Sequence, residues 1–285
     1  MEENYTAEQS SQYANRFVQY INELKELLNK YSAFTPGKGI TEKEYLAADE
    51  KHKKGLINSY DLGGLLLIVA FDHIMSFLRT INEPILAVAP WTCARSIVES
   101  SGLSSWFTNI KIDSLERIKR GYSYRYNGII EQIKIFQVMN DPKAIEDTKE
   151  INEKIIREAI DLGIDPVVDK KCKVCGIGFR MPPITQIIRE ELDEEAFYRI
   201  LSSTIHGYSW SLTQISFARI TMGDRPIIDK KLHPNSIILL CHLISDTIIV
   251  PIRNKSILFG WDITLSKNIY LSAREDYKNI TKSAV

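Results

Sequence analysis

The stretch that decides the fold is residues 58–78, NSYDLGGLLLIVAFDHIMSFL. Asp72, His73 and the following Arg79 are the strongly polar members of its second half, and the rest is almost wholly apolar. A helix that is apolar on several sides belongs in the middle of a bundle, so the run predicts a central helix with the other elements packed around it. Its apolar heart, residues 62–71, is too short to cross a bilayer, and the second apolar run, residues 237–252, is interrupted by His242 and Asp246.

Upstream, residues 7–32 repeat apolar side chains at spacings of three and four, from Tyr13, Phe17 and Tyr20 to Leu24 and Leu28, which predicts a long amphipathic first helix. AFTPGKG (33–39) ends it, and the charged stretch 41–55 reads as a solvated, partly helical connector. The chain thus divides into residues 1–57, helix plus connector, and residues 58–285, a helical bundle, the two forming one compact unit. Downstream, Pro84 and Pro90 mark a boundary before a helix over 91–107. A long helix over 112–139 has Asp113 or Ser114 as its N-cap, and a charged surface helix follows to Gly163. Residues 164–183, IDPVVDKKCKVCGIGFRMPP, break the pattern with an irregular loop containing cysteine, glycine and proline and room for a short hairpin. Helices resume over 184–192 and 193–207, over 233–252 with an end near Pro251, and over 261–280. The predicted class is an all-α bundle of long, partly buried helices.

Lysine plus arginine equals aspartate plus glutamate, 36 each, so no net field draws the whole molecule to nucleic acid or an anionic membrane. The polar N-terminus lacks the apolar run of a secretory signal, and the four cysteines are irregularly spaced. Reduced thiols in a cytoplasmic protein are therefore expected, with no membrane partner.

In FYRILSSTIHGYSW (197–210), Arg199 and His206 stand seven positions apart, two turns of one helix, with Ser202 and Ser203 between them. A guanidinium grips phosphate oxygens in a planar fork, and an imidazole can move a proton to or from a ribose hydroxyl. The pair therefore reads as a polar seam on a helix entering a buried bundle, suited either to a phosphodiester or to a packing network. Arg95 and Glu99, four apart, admit the same two readings: a core ion pair, or members of a pocket with His206.

The Arg199-x6-His206 spacing resembles the HEPN family of helical bundles, whose nuclease members carry an arginine and a histidine near the start of a late helix. Ile200 stands where those members usually have a polar residue. Residues 60–250 also look like a family of bacterial helical proteins of unknown function, some regarded as HEPN-related. What the resemblance implies is a metal-independent endoribonuclease of toxin–antitoxin or phage-defence systems, working as a dimer on RNA. His206 would be its acid/base group, Arg199 would stabilise the phosphate, and Ser202 or Ser203 would position them. No cofactor is called for. The alternative from a different class is a non-catalytic module whose buried Arg/Glu/His network fixes helix packing while the surface binds a protein partner. A nucleotide or small-molecule pocket is a weaker third reading.

Two further motifs have a functional and a plain reading. Arg117, Arg120 and Arg125, interleaved with tyrosines in RIKRGYSYRYNG (117–128), could contact RNA, or the tyrosines could be core and the cations solvated. Cys172 and Cys175 have zinc-ligand spacing but no second pair nearby, so the expected metal content is none.

Overall fold

The computed structural model describes residues 5–30, 39–82, 85–222 and 225–282. It is mostly helical, 79% helix with little strand, which establishes the all-α class. The breaks expected at Pro36–Gly37 and Pro84 lie outside the described residues.

Helix α1 (Ala7–Lys30) is followed by the short α2 (Ile40–Ala47), the long α3 (Glu50–Thr80), α4 (Ala89–Phe107), α5 (Ser114–Val138) and α6 (Pro142–Ile160). Strands β1 (Pro166–Val168) and β2 (Val174–Ile177) form an antiparallel hairpin within the cysteine-containing segment. Then come α7 (Ile184–Leu192), α8 (Glu195–Ile205), the single turn α9 (Ser209–Ser211) and a π-helical turn at Leu212–Ser216. A second antiparallel hairpin, β3 (Phe217–Met222) with β4 (Arg225–Leu232), precedes α10 (Pro234–Phe259) and α11 (Ile263–Lys282).

The helix starts follow capping chemistry. Asp49, Asp113 and Asp141 each accept a hydrogen bond from a backbone N–H three residues on, at His52, Glu116 and Ala144, which satisfies a donor the first turn would otherwise leave open. α3 begins eight residues before Asn58, so the boundary drawn at 57/58 falls inside one helix. It packs most extensively on α4, and the first glycine in LGGLLL explains part of this: a Cβ at Gly63 would sit 2.9 Å from Thr108 Cγ2. Ser104 Oγ donates to Gly63 O at 2.7 Å across the same crossing. At the crossing with α5, a Cβ on Gly121 would lie 2.5 Å from Ser59 Oγ, so glycine sets how closely α3 and α5 approach.

α3 is not buried all round as its composition suggests, because Leu65 and Ile68 face outward, 57% and 68% exposed. By length and composition both α3 and α10 could cross a membrane, yet α10 is threaded through the core with Cys241, Ile244, Ile248 and Ile252 inaccessible. α10 also runs on past Pro251 to Phe259, where Gly260 in the left-handed conformation closes it. Apolar burial on either side of the proline outweighs one lost backbone hydrogen bond.

The largest core cluster joins α1, α3, α4, α8, α10 and α11, and a second joins α3, α5, α6 and β2 to the end of α10. α3 gives Leu56 and Tyr60 to the second and Leu67, Ile74 and Phe77 to the first.

Candidate functional site

α8 is amphipathic in a simple way. Tyr198, Leu201 and Thr204, three apart, are its buried face, and α8 packs on α4 and α7. The opposite stripe, Ala196, Arg199, Ser203 and His206, faces solvent. Arg199 and His206 thus share one side of the helix as their spacing predicts, but that side is open water rather than a seam in a buried bundle. The reason is local: α8 is a peripheral helix of eleven residues, and only one stripe of it meets other elements.

Arg199 turns back along its own helix. Its Nε and Nη2 donate to Glu195 Oε1 at 2.9 and 2.7 Å, and this bond holds the half-buried Glu195 carboxyl below the usual range. Arg189 approaches the other oxygen of Glu195 at 3.6 Å. Ser203 Oγ donates to Arg199 O at 2.9 Å, as a hydroxyl commonly does inside a helix, and Ser202 is half-buried.

His206 caps the helix. Its N–H donates to Ser202 O, that of Gly207 to Thr204 O and that of Tyr208 to Ser203 O, with Gly207 at φ +72°. This is a glycine stop, and the helix does not continue to Trp210. No atom lies within 4 Å of a Cβ built on Gly207, so the glycine serves the left-handed turn and not a close helix contact. Beyond the stop, Tyr208 and Trp210 are exposed.

Arg95 and Glu99 lie apart from that stripe, against the inner face of α8. Arg95 Nε donates to Glu99 Oε1 at 2.9 Å, Tyr198 Oη donates to the same oxygen at 2.7 Å, and Arg95 Nη2 reaches Tyr198 Oη at 3.3 Å. Burial, then the bond to Glu99, raises the Tyr198 hydroxyl above its ordinary value. The half-buried triad braces α8 on α4. Tyr198, adjacent to Arg199, faces the other way, and the hydrogen bonds of the two pairs stay separate, so they do not make one four-residue site.

The basic segment of α5 differs from its nucleic-acid reading. Arg117 is fully buried, its guanidinium divided between Glu44 and the carbonyls of Phe107 and Asn109, so it has nothing to offer a phosphate. Arg120 is nearly as enclosed, bonded to Trp106 O and to Glu191. A guanidinium supplies five donors in a rigid fork, and here they close interior carbonyls that would otherwise be orphaned. Arg125 alone of the three reaches a cleft. Cys175 Sγ accepts from Arg180 Nε at 3.2 Å while Cys172 is exposed. Among the described residues no group of three or more His, Cys, Asp or Glu side chains could hold a metal ion.

A second polar cluster escaped the sequence. His242 on α10 places Nδ1 3.0 Å from Tyr13 Oη, while its Nε2 lies 3.4 Å from Asp246 Oδ2. Arg274 of α11 reaches both the imidazole and Asp246, and Tyr270 Oη donates to Asp246 at 2.8 Å. Burial, outweighing the Asp246 charge, lowers the His242 pKa. With both ring nitrogens engaged, the cluster ties α1, α10 and α11 together. The i,i+4 spacing of His242 and Asp246 was its one visible signal.

Glu194, at the start of α8, feels that cluster. Burial, then the charges of Asp246 and Asp193, push its carboxyl up to about 7. A carboxyl raised in the folded state contributes stability that is complete below its ordinary value of 4.5 and is lost as pH climbs through about 7. Glu194→Gln is therefore expected to stabilise the protein by about 1–2 kcal/mol near pH 8, after reduction for partial exposure, and to change little near pH 4. Thermal melts of both proteins across that range check it; a difference independent of pH would remove Glu194 as the cause.

Comparison with known proteins adds nothing to the site: no family model matches the chain, and no curated protein or solved structure is significantly similar to it.

Proposed function

We propose that the protein is a HEPN-like endoribonuclease whose reaction centre is built on the outer stripe of α8. The observation that carries this reading is that Arg199 and His206 are both open to solvent on one helix side. The exposed Tyr208 and Trp210 follow immediately, where bases can stack. In this reaction the His206 imidazole accepts the proton of a ribose 2′-hydroxyl. That oxygen attacks the adjacent phosphorus, the P–O5′ bond breaks, the 5′-oxygen takes a proton back from the imidazolium, and the ends are a 2′,3′-cyclic phosphate and a 5′-hydroxyl. No metal enters the proton balance. Arg199 stabilises the charge on the pentacovalent phosphorus once phosphate displaces Glu195, a surface ion pair of small net worth. Ser202 and Ser203 hold the helix turn between them.

Seven residues of helix separate the two groups by about 10 Å along the axis, and Arg199 leans away from His206. The reading therefore includes a dimer in which two α8 helices face each other and the Arg199 of one serves the His206 of the other. The test is incubation of the purified protein with single-stranded RNA in EDTA, with mass spectrometry of the ends. Cyclic phosphate ends support it, and intact RNA at micromolar protein sinks it. The Arg95–Glu99–Tyr198 brace and the retention of Arg199 by Glu195 favour a second reading, a helical module that binds a protein partner through this face. Intact RNA together with a stable complex would establish that reading instead.

A further inference from the structure

Away from α8, the helices α3, α5 and α6 enclose an open cleft of about 780 Å³. This is the size range of small-molecule sites. Three cations line it, one from each helix: Lys54, Arg125 and Lys154. Lys54 stands 4.0 Å from Glu158, a pair at the limit of contact. Arg125 rests over the Tyr122 ring at 5.7 Å, and neither it nor Lys154 has a carboxylate partner among the described residues. Against Asp61 and Glu158 on the same walls, the lining carries one positive charge in excess. The helices also place Leu65 and Ile151 on the cleft wall, both more than half exposed to solvent.

Arg125 and Lys154, without carboxylate partners and beside apolar walls, fit a ligand that is anionic at one end and flat and apolar at the other. A guanidinium and an ammonium from two helices can grip a phosphate group together, with the fork of Arg125 taking two oxygens. Leu65 and Ile151 would cover a heteroaromatic ring, and Asn58, also on the wall, offers an amide donor and acceptor to a base edge. We infer that the α3/α5/α6 cleft binds a free nucleotide through Arg125 and Lys154, independently of any chemistry on α8.

The probes are ADP, GDP, CDP and UDP, each titrated calorimetrically into the full-length protein, with inorganic pyrophosphate and a 5′-phosphorylated RNA trinucleotide as comparisons. At least one diphosphate is expected to bind below about 100 μM and to raise the melting temperature. Arg125→Ala and Lys154→Ala should each weaken it about tenfold or more, Arg125→Lys less, and Arg199→Ala not at all. Both side chains reach the cleft surface, and melting curves confirm that the variants fold. Failure of all four diphosphates to bind below about 1 mM would overturn the inference, as would binding that survives the Arg125→Ala/Lys154→Ala double substitution. Equal binding of pyrophosphate, or tighter binding of the trinucleotide, would overturn the assignment to a free nucleotide.

Discussion

Replacing Arg117 by alanine is expected to destabilise the protein by about 3–5 kcal/mol, the cost of removing one partner from a buried ion pair. The side chain has no exposure at all, and Glu44, its partner at 3.3 Å, is itself 10% exposed. Glu44 also accepts from the Tyr60 hydroxyl, whose pKa is raised by burial and then by that bond. Without the guanidinium the carboxylate keeps only the tyrosine, and the carbonyls of Phe107 and Asn109 lose their donor. Each buried group left open adds about 1–3 kcal/mol of desolvation, so the effects reinforce one another. Arg117→Lys should recover only part of the loss, since one ammonium cannot reproduce the fork. Urea unfolding of the three proteins measures this; an Arg117→Ala loss below about 1 kcal/mol would show that the guanidinium is not the tie joining α2, the α4–α5 turn and α5.

On the proposed ribonuclease reading, His206→Ala is expected to lower RNA cleavage by about 10²–10⁴-fold, the usual worth of a general acid–base group, with the melting temperature nearly unchanged. The stability half of this expectation follows from exposure: His206 is at a helix end in solvent, where substitutions alter stability by about 0.5 kcal/mol or less. Arg199→Ala should lower cleavage too, with Arg199→Lys intermediate, while Glu195→Gln, which frees the guanidinium, should raise the rate at low substrate. A mixture of His206→Ala and Arg199→Ala chains restoring activity would show that the two groups act across a dimer. Loss of cleavage together with loss of fold would instead make His206 a packing residue.

Much of the architecture was legible because helical periodicity depends on neighbours three and four apart. Tyr13, Phe17 and Leu24 announced α1, and Asp113 announced the start of α5. The hairpin β3–β4 was not read, because its apolar positions alternate weakly between the stronger helical signals on either side. The site was less legible. Spacing put Arg199 and His206 on one side of α8, yet which side meets water depends on α4 and α7, elements remote in sequence. Arg117 looked like an RNA contact because its acidic partner lies 73 residues away. Its burial depends on how α2 docks, which local pattern does not encode. Likewise His242 and Asp246 were visible as a pair, but Arg274, 28 residues from Asp246, was not.

The passage of α3 and α10 through both large core clusters has a consequence for motion. An amide on the buried face of α3 meets solvent only when the core cluster it lines opens, so its hydrogen exchange should report large-scale unfolding. The last two turns of α5, residues 131–138, carry no fully buried side chain, with Ile135 and Val138 exposed, and should exchange through local opening at lower free energy. The molecule is thus a stiff two-helix spine with an arm that can fray without loosening it.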